Sequence, residues 1–315
     1  MVSSILGTSG RVYVRGEVLQ ARRRNNHDRR IYKTECGNES FVLKRVSRSI
    51  YDLNQGLAVE FQDSRRLRMH IDCAQEDDQE DHILIYPYFR DTLLALIKND
   101  DEFTVRQYGK LHTKDWIHID VKPDSIFMNW TCDKDGNKTP VTNAVLGDFD
   151  IAFRPEDGRL PLRTPYAIGN VMWRSLEGQT AIGVTRASDV FSFALVCLYA
   201  LGAGDLLTIN NYQELQRHGI RPEQDILCRH FAYFGPVTDG LLNHVNDENW
   251  RAALKSSSDA AQEEAKYNSM LPFALWGKDL GPEAQDMISQ MTKMDPAARM
   301  TIDQVLAHPW WAINT

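Results

Sequence analysis

The chain has 315 residues, of which 43% are hydrophobic and 25% charged, so its composition is that of an ordinary globular protein with room for two lobes. The formal net charge of −7 gives no reason to expect general affinity for nucleic acid or for an anionic membrane surface. We therefore expect neither nucleic acid nor membrane among the partners.

Cysteine usage and the amino terminus predict a cytoplasmic or nuclear protein. The five cysteines are odd in number and have no CxxC spacing, which favours reduced thiols over disulfides or a zinc site. Met1 to Gly7 lacks the basic region and apolar run of a secretory signal. The most apolar segment, Val190 to Gly204, is too short and too interrupted to span a membrane, and is better interpreted as a buried helix.

The first part of the chain predicts strands. Arg15 to Leu19, Arg30 to Thr34 and Ser40 to Val46 have strand-like composition, with a turn at Gly37-Asn38 between the last two. The residues from Arg23 to Arg30 predict a polar, basic loop.

One helix and one further strand follow. Leu53 to Met69 can present an apolar face, and Glu60 lies in the middle of that predicted helix. Gln75 to Asp81 predicts an acidic, solvated loop, and Ile83 to Phe89 predicts an apolar strand with a proline near its end.

Beyond Asp91 most segments predict helices. These are Asp91–Lys98, Glu102–His112, Asp189–Leu201, Tyr212–His218, Asp247–Leu254, Pro282–Met294 and Thr301–Ala307. Strands followed by helices predict an α+β protein with two lobes, residues 1–88 and 89–315.

Two segments carry the residues that phosphoryl transfer needs. Ile117 to Ile126 contains Asp120 and Lys122, and Leu146 to Asp150 contains Asp148. In such chemistry one carboxylate orients the attacking hydroxyl, a lysine meets the transferred phosphate, and a second carboxylate holds the metal ion.

In these segments the chain resembles the eukaryotic protein kinases. His118-Ile119-Asp120-Val121-Lys122-Pro123-Asp124-Ser125 is similar to the H-R-D-L-K-P-x-N loop, and Asp148-Phe149-Asp150 to D-F-G. The resemblance implies that Asp120 orients the substrate hydroxyl and that Lys122, typical of the serine/threonine branch, lies near the γ-phosphate of ATP. It implies that Asp148 holds Mg²⁺, with Ser125 at the position of the second metal ligand.

The resemblance extends along most of the chain. Val42-Leu43-Lys44 is similar to the end of V-A-I-K, which implies that Lys44 grips the phosphates of ATP and pairs with Glu60. Tyr86 and Tyr88 are expected beside the nucleotide. The residues for which the resemblance implies structural roles are His118, Glu177, Asp189 and Arg299.

Those structural roles rest on three further matches. Residues 169–177 resemble the segment ending in A-P-E, residues 187–194 the D-V-W-S-F-G segment, and residues 295–301 and 308–310 the closing helices. Glu177 and Arg299 are then expected to form a buried ion pair, and Asp189 to hold the backbone of the catalytic loop. The implied fold is bilobal, with an antiparallel sheet and one helix in the first lobe.

The glycine-rich loop over the phosphates is missing. Gly7, Gly10 and Gly16 lack its spacing, and the hairpin expected to cover ATP, Gln20 to Arg30, contains no glycine. The Arg22 to Arg24 cluster either forms a solvated loop or compensates by its charge.

Three substitutions change the motifs themselves. Ile119 replaces the arginine that reads a phosphorylated activation loop, in which Thr164 is either a phosphosite or an ordinary threonine. Ser125 replaces an asparagine metal ligand, and Asp150 replaces the glycine of D-F-G. A combined cost of about 4 kcal/mol in the transition state would slow transfer roughly a thousandfold.

The second lobe also differs in length. Only Glu102 to His112 remains for a long central helix, so the lobe is either degenerate or shortened by a deletion. The stretch from Asn211 to Lys278 is enlarged; it either binds partners or is a solvated insertion with Trp250 and Trp276 in the core.

Three functions remain open. The leading hypothesis is an ATP- and Mg²⁺-dependent serine/threonine protein kinase of reduced activity, acting on a protein substrate. The alternative is a pseudokinase that binds partner proteins, which the altered motifs favour. A small-molecule phosphotransferase is the third, and Glu177, Arg299 and His308-Pro309-Trp310 argue against it.

Overall fold

The structure, a computed structural model, describes residues 3–24, 27–75, 81–97, 109–131, 141–155, 161–164 and 166–313. Contacts divide the chain into two units. The first comprises Met1–Thr92 and Ile126–Asp150, and the second comprises Leu93–Ser125 and Ile151–Thr315. Residues 126–150 therefore group with the first unit, whereas the sequence-based division at residue 88 placed them in the second lobe.

An antiparallel six-stranded sheet dominates the first unit, in the order β1-β2-β3-β4-β6-β5. Its strands are β1 (Ser4–Leu6), β2 (Val12–Arg24), β3 (His27–Cys36), β4 (Glu39–Val46), β5 (Asp72–Gln75) and β6 (His82–Pro87). Helix α1 (Arg48–Glu60) follows β4.

Alternation along β4 gives the sheet two buried faces. Leu43 belongs to a cluster with Tyr13 and Ile85, whereas Val42 packs on the other face with Tyr86. Because successive side chains of a strand point to opposite faces, Lys44 shares the face of Val42. That face therefore carries the lysine for which the sequence predicts a role in binding ATP.

A smaller sheet completes the first unit. It contains β7 (Asp91–Thr92), β8 (Ile126–Asn129) and β9 (Asn143–Leu146), in that order. The last residue of β9, Leu146, forms a parallel bridge with Leu67, and its carbonyl accepts a hydrogen bond from the backbone of Arg68. This pairing fixes the chain just before Asp148.

Two predictions about the first unit are wrong. The residues from Arg23 to Arg30 were expected to form a loop, but those that the structure describes, Arg23–Arg24 and His27–Arg30, extend β2 and β3. Pairing of backbone groups in a hairpin outweighs the polar composition. The helix expected from Leu53 to Met69 begins at Arg48 and ends at Glu60, since the residues around Leu67 pair with β9 instead.

Strand β5 was not predicted, and most of the expected acidic loop lies outside the described residues. The turn at Gly37-Asn38 and the strand beginning near Ile83 are confirmed.

Helices make up most of the second unit. They are α2 (Leu93–Ile97), α3 (Gly109–His112), α4 (Leu176–Thr180), α5 (Arg186–Ala200), α6 (Gly204–Leu207), α7 (Tyr212–Arg217), α8 (Pro222–Phe234), α9 (Asp239–Val245), α10 (Glu248–Tyr267), α11 (Phe273–Trp276), α12 (Pro282–Met291), α13 (Ile302–Leu306) and α14 (Trp310–Ile313). A short ribbon joins β10 (Leu162–Arg163) to β11 (Ile182–Val184). Antiparallel sheet in one unit and helices in the other confirm the α+β prediction.

Helix α5 is buried along most of its length, as its continuous apolar sequence predicts. Helix α10 is longer than predicted, because the polar run from Lys255 to Glu264 is helical as well. Leu254, Ser258 and Ala261 lie on one face of α10 and are buried, which explains why this polar run folds. Helix α8 was missed.

The predicted shortening of the central helix concerns residues 102–112, of which only 109–112 are described, as α3. Among the described helices, none combines the length and apolarity that crossing a membrane requires.

Candidate functional site

Lys44 lies between two carboxylates of the first unit. Its Nζ is 2.8 Å from Oδ1 of Asp148 and 2.8 Å from Oδ2 of Asp150. All three side chains are largely buried but retain some exposure. Strand β4 therefore places one cation against both carboxylates of the D-F-D motif.

The backbone at the end of β9 directs those carboxylates. Asp148 has a φ of 66°, in the left-handed region that aspartate tolerates better than most residues. A Cβ on the preceding Gly147 would lie 3.0 Å from the ring of Phe127 and 3.1 Å from the Cβ of Arg68. Gly147 thus allows the backbone to pass close to Phe127 and Arg68 before the turn at Asp148.

Electrostatics favour the charged form of Lys44. Burial lowers its pKa, but the negative charges of Asp148 and Asp150 outweigh burial and raise that pKa above its usual range. Lys44 is therefore protonated, and its ammonium group is paired with the carboxylates of Asp148 and Asp150.

Arg68 is a second buried cation of the first unit. Its guanidinium lies 4.1 Å from the ring centre of Phe127, and its Nη2 donates to the carbonyl of Pro87 at 2.6 Å. Burial lowers the pKa of Arg68 to about 10. The residues from Arg66 to Arg68 thus connect β6 with the strand that leads to Asp148.

The other residues expected around the nucleotide lie in varied surroundings. Tyr86 is buried, and its hydroxyl donates to Oδ1 of Asn54 at 3.2 Å. The ring of Tyr88 lies 4.8 Å from Nζ of Lys33. Glu60 is the last residue of α1. Lys44 forms its ion pairs with Asp148 and Asp150. The roles of Tyr86, Tyr88 and Glu60 in binding ATP stay predictions.

Asp120 is the centre of a contact network in the second unit. One of its carboxylate oxygens accepts a hydrogen bond from Nζ of Lys122, and the other accepts from the backbone N–H of Asn170 at 2.8 Å. A Cβ on Gly169, whose φ is +86°, would lie 2.9 Å from the carbonyl of Ile119. Only glycine lets the segment before Asn170 approach the loop so closely.

Asp189 holds the backbone that leads into this loop. Its two carboxylate oxygens accept hydrogen bonds from the N–H groups of His118 and Ile119, at 2.7 and 2.9 Å. Nε2 of His112 lies 3.0 Å from the same carboxylate. Ile119 has a φ of 70°, an unusual conformation for a β-branched residue, and these hydrogen bonds stabilise it.

Ser125 is fully buried in the short 3₁₀ turn Pro123–Ser125. Its hydroxyl donates to the backbone carbonyl of Asp120 at 3.0 Å. The hydroxyl therefore supports the loop through that bond, and its assignment as a metal ligand stays a prediction.

Glu177 and Arg299 form a bidentate ion pair in the second unit. Nη1 and Nη2 of Arg299 lie 2.6 and 3.0 Å from the two carboxylate oxygens, and both side chains are completely buried. Ser188 also donates to Glu177, at 2.8 Å. Burial raises the pKa of Glu177, but Arg299 outweighs it and holds that pKa below its usual range.

The first unit offers two carboxylates to a cation. The described residues contain no group of three or more histidine, cysteine or acidic side chains that could hold a metal ion. Oδ1 of Asp150 is buried without a hydrogen-bond partner among the described residues, so it retains an open acceptor. Carboxylate oxygens are the ligands that Mg²⁺ prefers, and Asp148 with Asp150 therefore fits a divalent cation.

Sequence reasoning missed two parts of this arrangement. It expected the charge of Asp150 to be unfavourable beside the triphosphate unless a metal ion or an arginine neutralised it, and it did not predict that Lys44 pairs with Asp150. It also missed the contacts that Gly169 and Asn170 make with the Asp120 loop, for which the sequence carries no clear signal.

Comparison with protein families matches residues 22–311 to the protein kinase domain. This match covers most of the chain, so the chain belongs to the protein kinase family, and the resemblance to eukaryotic protein kinases is confirmed.

The chain is also similar to individual mitogen-activated protein kinases. It is 23% identical to mitogen-activated protein kinase 6 of Oryza sativa subsp. japonica over 64% of the chain and 46% of that protein. It is 20% identical to mitogen-activated protein kinase 4 of Arabidopsis thaliana over 76% of the chain and 58% of that protein. The chain thus spans about half the length of these relatives.

Proposed function

We propose that this chain is an ATP-dependent serine/threonine protein kinase of reduced activity, which transfers the γ-phosphate of ATP to a hydroxyl group of a protein substrate. The single observation that supports this most is the ion pair between Lys44 and Asp148, which lie 104 positions apart. In the family, these two residue types meet the phosphates and the metal ion of the nucleotide.

Asp120 and Lys122 supply the proposed chemistry of transfer. Asp120 would accept a hydrogen bond from the substrate hydroxyl and orient it toward the phosphate, and Lys122 would offset charge on the transferred group. The contact between Lys122 and Asp120 keeps both side chains in one place before substrate binds. A lysine at this position favours serine or threonine as the acceptor.

Mg²⁺ is the proposed metal ion, and Asp148 and Asp150 would hold it. When bound, the ion supplies positive charge to the β- and γ-phosphates. Asp150 would contribute a carboxylate where Ser125 offers only a hydroxyl that already donates within its own loop. Lys44 would bind the α- and β-phosphates.

A pseudokinase that binds partner proteins is the second candidate. One observation favours it: Asp150 forms an ion pair with Lys44 in addition to that of Asp148. A nucleotide must then replace two carboxylates at the ammonium group, which weakens ATP binding.

Labelled ATP with Mg²⁺ and a mixed set of protein substrates tests the proposal. We expect label on serine and threonine in phosphoamino acid analysis, together with a rise in melting temperature on adding ATP and Mg²⁺. A thermal shift without transfer supports the nucleotide-binding pseudokinase. Label on tyrosine alone contradicts the proposed acceptor.

A further inference from the structure

A cavity of the second unit has a strongly basic lining. It measures about 450 Å³. The charged side chains around it are those of Arg163, Arg174, Arg221 and Glu223, a formal balance of +2 in a chain whose net charge is −7. A positive site on an acidic protein selects for anions.

Arg174 is the buried member of this lining. It is 7% exposed, and its Nε and Nη1 have no hydrogen-bond partner among the described residues. A buried guanidinium without partners is costly, and a ligand that accepts its hydrogen bonds removes that cost. Glu223 is the lining carboxylate whose charge acts on Arg174.

Gln179 adds a buried acceptor to the same cavity. It is 2% exposed; its Nε2 donates to the carbonyl of Val171 at 2.6 Å, which leaves Oε1 without a partner among the described residues. An acceptor beside the arginines suits a ligand that also carries backbone N–H groups, as a peptide does.

The two exposed arginines come from different elements. Arg163 lies in β10, opposite Ile182 of β11, and Arg221 immediately precedes α8. Arginines on separate elements that surround one cavity can contact one anion from several sides, and guanidinium forks match phosphate oxygens.

The cavity is connected to the proposed catalytic loop. The N–H of Asn170 donates to Asp120, and the carbonyl of Asn170 accepts from the N–H of Arg174 at 3.1 Å. A peptide bound at the cavity would therefore contact the segment that also contacts Asp120.

We infer that this cavity binds a phosphorylated side chain of the peptide substrate, so that the proposed kinase acts on peptides that already carry a phosphate. The inference rests on the proposed function, and it specifies the class of substrate. A phosphoryl dianion matches the balance of +2, and the cavity has room for its three terminal oxygens and adjoining backbone.

Fluorescence anisotropy without ATP tests this directly. The probes are labelled peptides with one threonine in an alanine and glycine background, with phosphoserine placed at each flanking position in turn. We expect one position to bind at least about tenfold more tightly than its serine counterpart and its glutamate counterpart. Equal binding of all three would overturn the inference, and glutamate binding as tightly as phosphoserine would assign the cavity to acidic peptides instead.

Substitutions of the charged residues around the cavity test both the direction and the size of the change in phosphopeptide affinity. Arg163→Gln and Arg221→Gln alter exposed side chains and should each weaken phosphopeptide binding several-fold, whereas Glu223→Gln should tighten it. Arg217→Gln, an exposed arginine of α7 outside the cavity, is the matched control. A phosphoserine preference that is undiminished in both cavity variants would overturn the inference.

The same peptides distinguish this inference from the proposed function. The anisotropy is measured without ATP, so phosphopeptide binding does not require phosphate transfer. Binding in a chain that transfers no phosphate to any substrate would leave the cavity assignment intact and reject the kinase activity.

Discussion

Oδ2 of Asp150 lies as close to Nζ of Lys44 as Oδ1 of Asp148 does, at 2.8 Å. The residue that replaces the glycine of D-F-G is therefore joined to the lysine that the proposal assigns to ATP. In the proposed site, Asp150 would therefore both compete with the phosphates for Lys44 and offer a carboxylate to the metal ion.

Asp150→Asn should have opposite effects on ATP binding with and without metal. In EDTA the variant should bind ATP about fivefold more tightly, because one partly exposed carboxylate no longer competes for Lys44. With Mg²⁺ it should lose part of the affinity that the metal adds. Titration with a fluorescent ATP analogue measures both affinities, and Asp52→Asn, at an exposed position of α1, is the control. Identical Mg²⁺ dependence in the variant would show that Asp150 does not ligate the metal.

Lys44→Met should strengthen metal binding in the absence of nucleotide. The substitution removes the cation that now occupies the two carboxylates, so Mn²⁺ should bind about fivefold more tightly. Mn²⁺ titration followed by electron paramagnetic resonance gives the affinity. Lys33→Met, which alters a lysine of the same sheet that faces Tyr88, should leave it unchanged. Weaker Mn²⁺ binding in Lys44→Met would argue against a shared cation position.

Glu177→Gln should destabilise the second unit strongly. Removing one charge of a buried pair leaves Arg299 uncompensated, which typically costs about 3–5 kcal/mol. Asp115→Asn, which breaks an exposed pair with Arg186, should cost less than about 1 kcal/mol. Urea denaturation measures the free energy of unfolding of both variants. Similar losses of that free energy would show that the buried pair stabilises the fold no more than the exposed pair does.

His230 should make stability depend on pH. Burial, together with the positive charges of Arg299 and Arg229, lowers its pKa from 6.5 to about 3. The unfolded chain then binds a proton that the folded chain does not, so stability is full above pH 6.5 and falls as the pH drops toward 3. At pH 5 the loss from this residue is about 2 kcal/mol.

His230→Phe should remove this loss, because the ring packs against Phe191 and makes no hydrogen bond among the described residues. Urea denaturation at pH 7.5 and pH 5 measures the difference, with the exposed His218→Gln as the control. The same pH-dependent loss in His230→Phe and the unaltered chain would exclude His230 as its source.

The sequence predicts the fold because the motifs of the family occur in their expected order along the chain. Lys44, Asp148, Glu177 and Arg299 stand in the order and spacing of the family motifs. Local composition gave wrong predictions of secondary structure where pairing with another strand determined the conformation. Arg23, Arg24 and the residues from His27 to Arg30 form strand because they pair with one another across β2 and β3. The residues around Leu67 lie outside the predicted helix because they pair with β9.

The sequence could not predict contacts that depend on backbone direction. Asp150 meets Lys44 after Asp148 has adopted a positive φ, and no periodicity encodes that turn. Arg174 and Gln179 line one cavity only after β10, β11 and α8 have packed around the segment that contains them. Such sites can be identified only in the folded chain, because residues distant in sequence contribute to them.

The most direct test of the proposed kinase is the rate of phosphate transfer from labelled ATP by the unaltered chain, by Asp120→Asn and by Asp124→Asn. Asp124 lies in the same loop, is exposed, and provides the same change of charge. We predict measurable transfer that falls at least about a hundredfold in Asp120→Asn, the range typical of losing an acid–base group, and that persists in Asp124→Asn. Transfer at the same background level in all three chains would contradict the account.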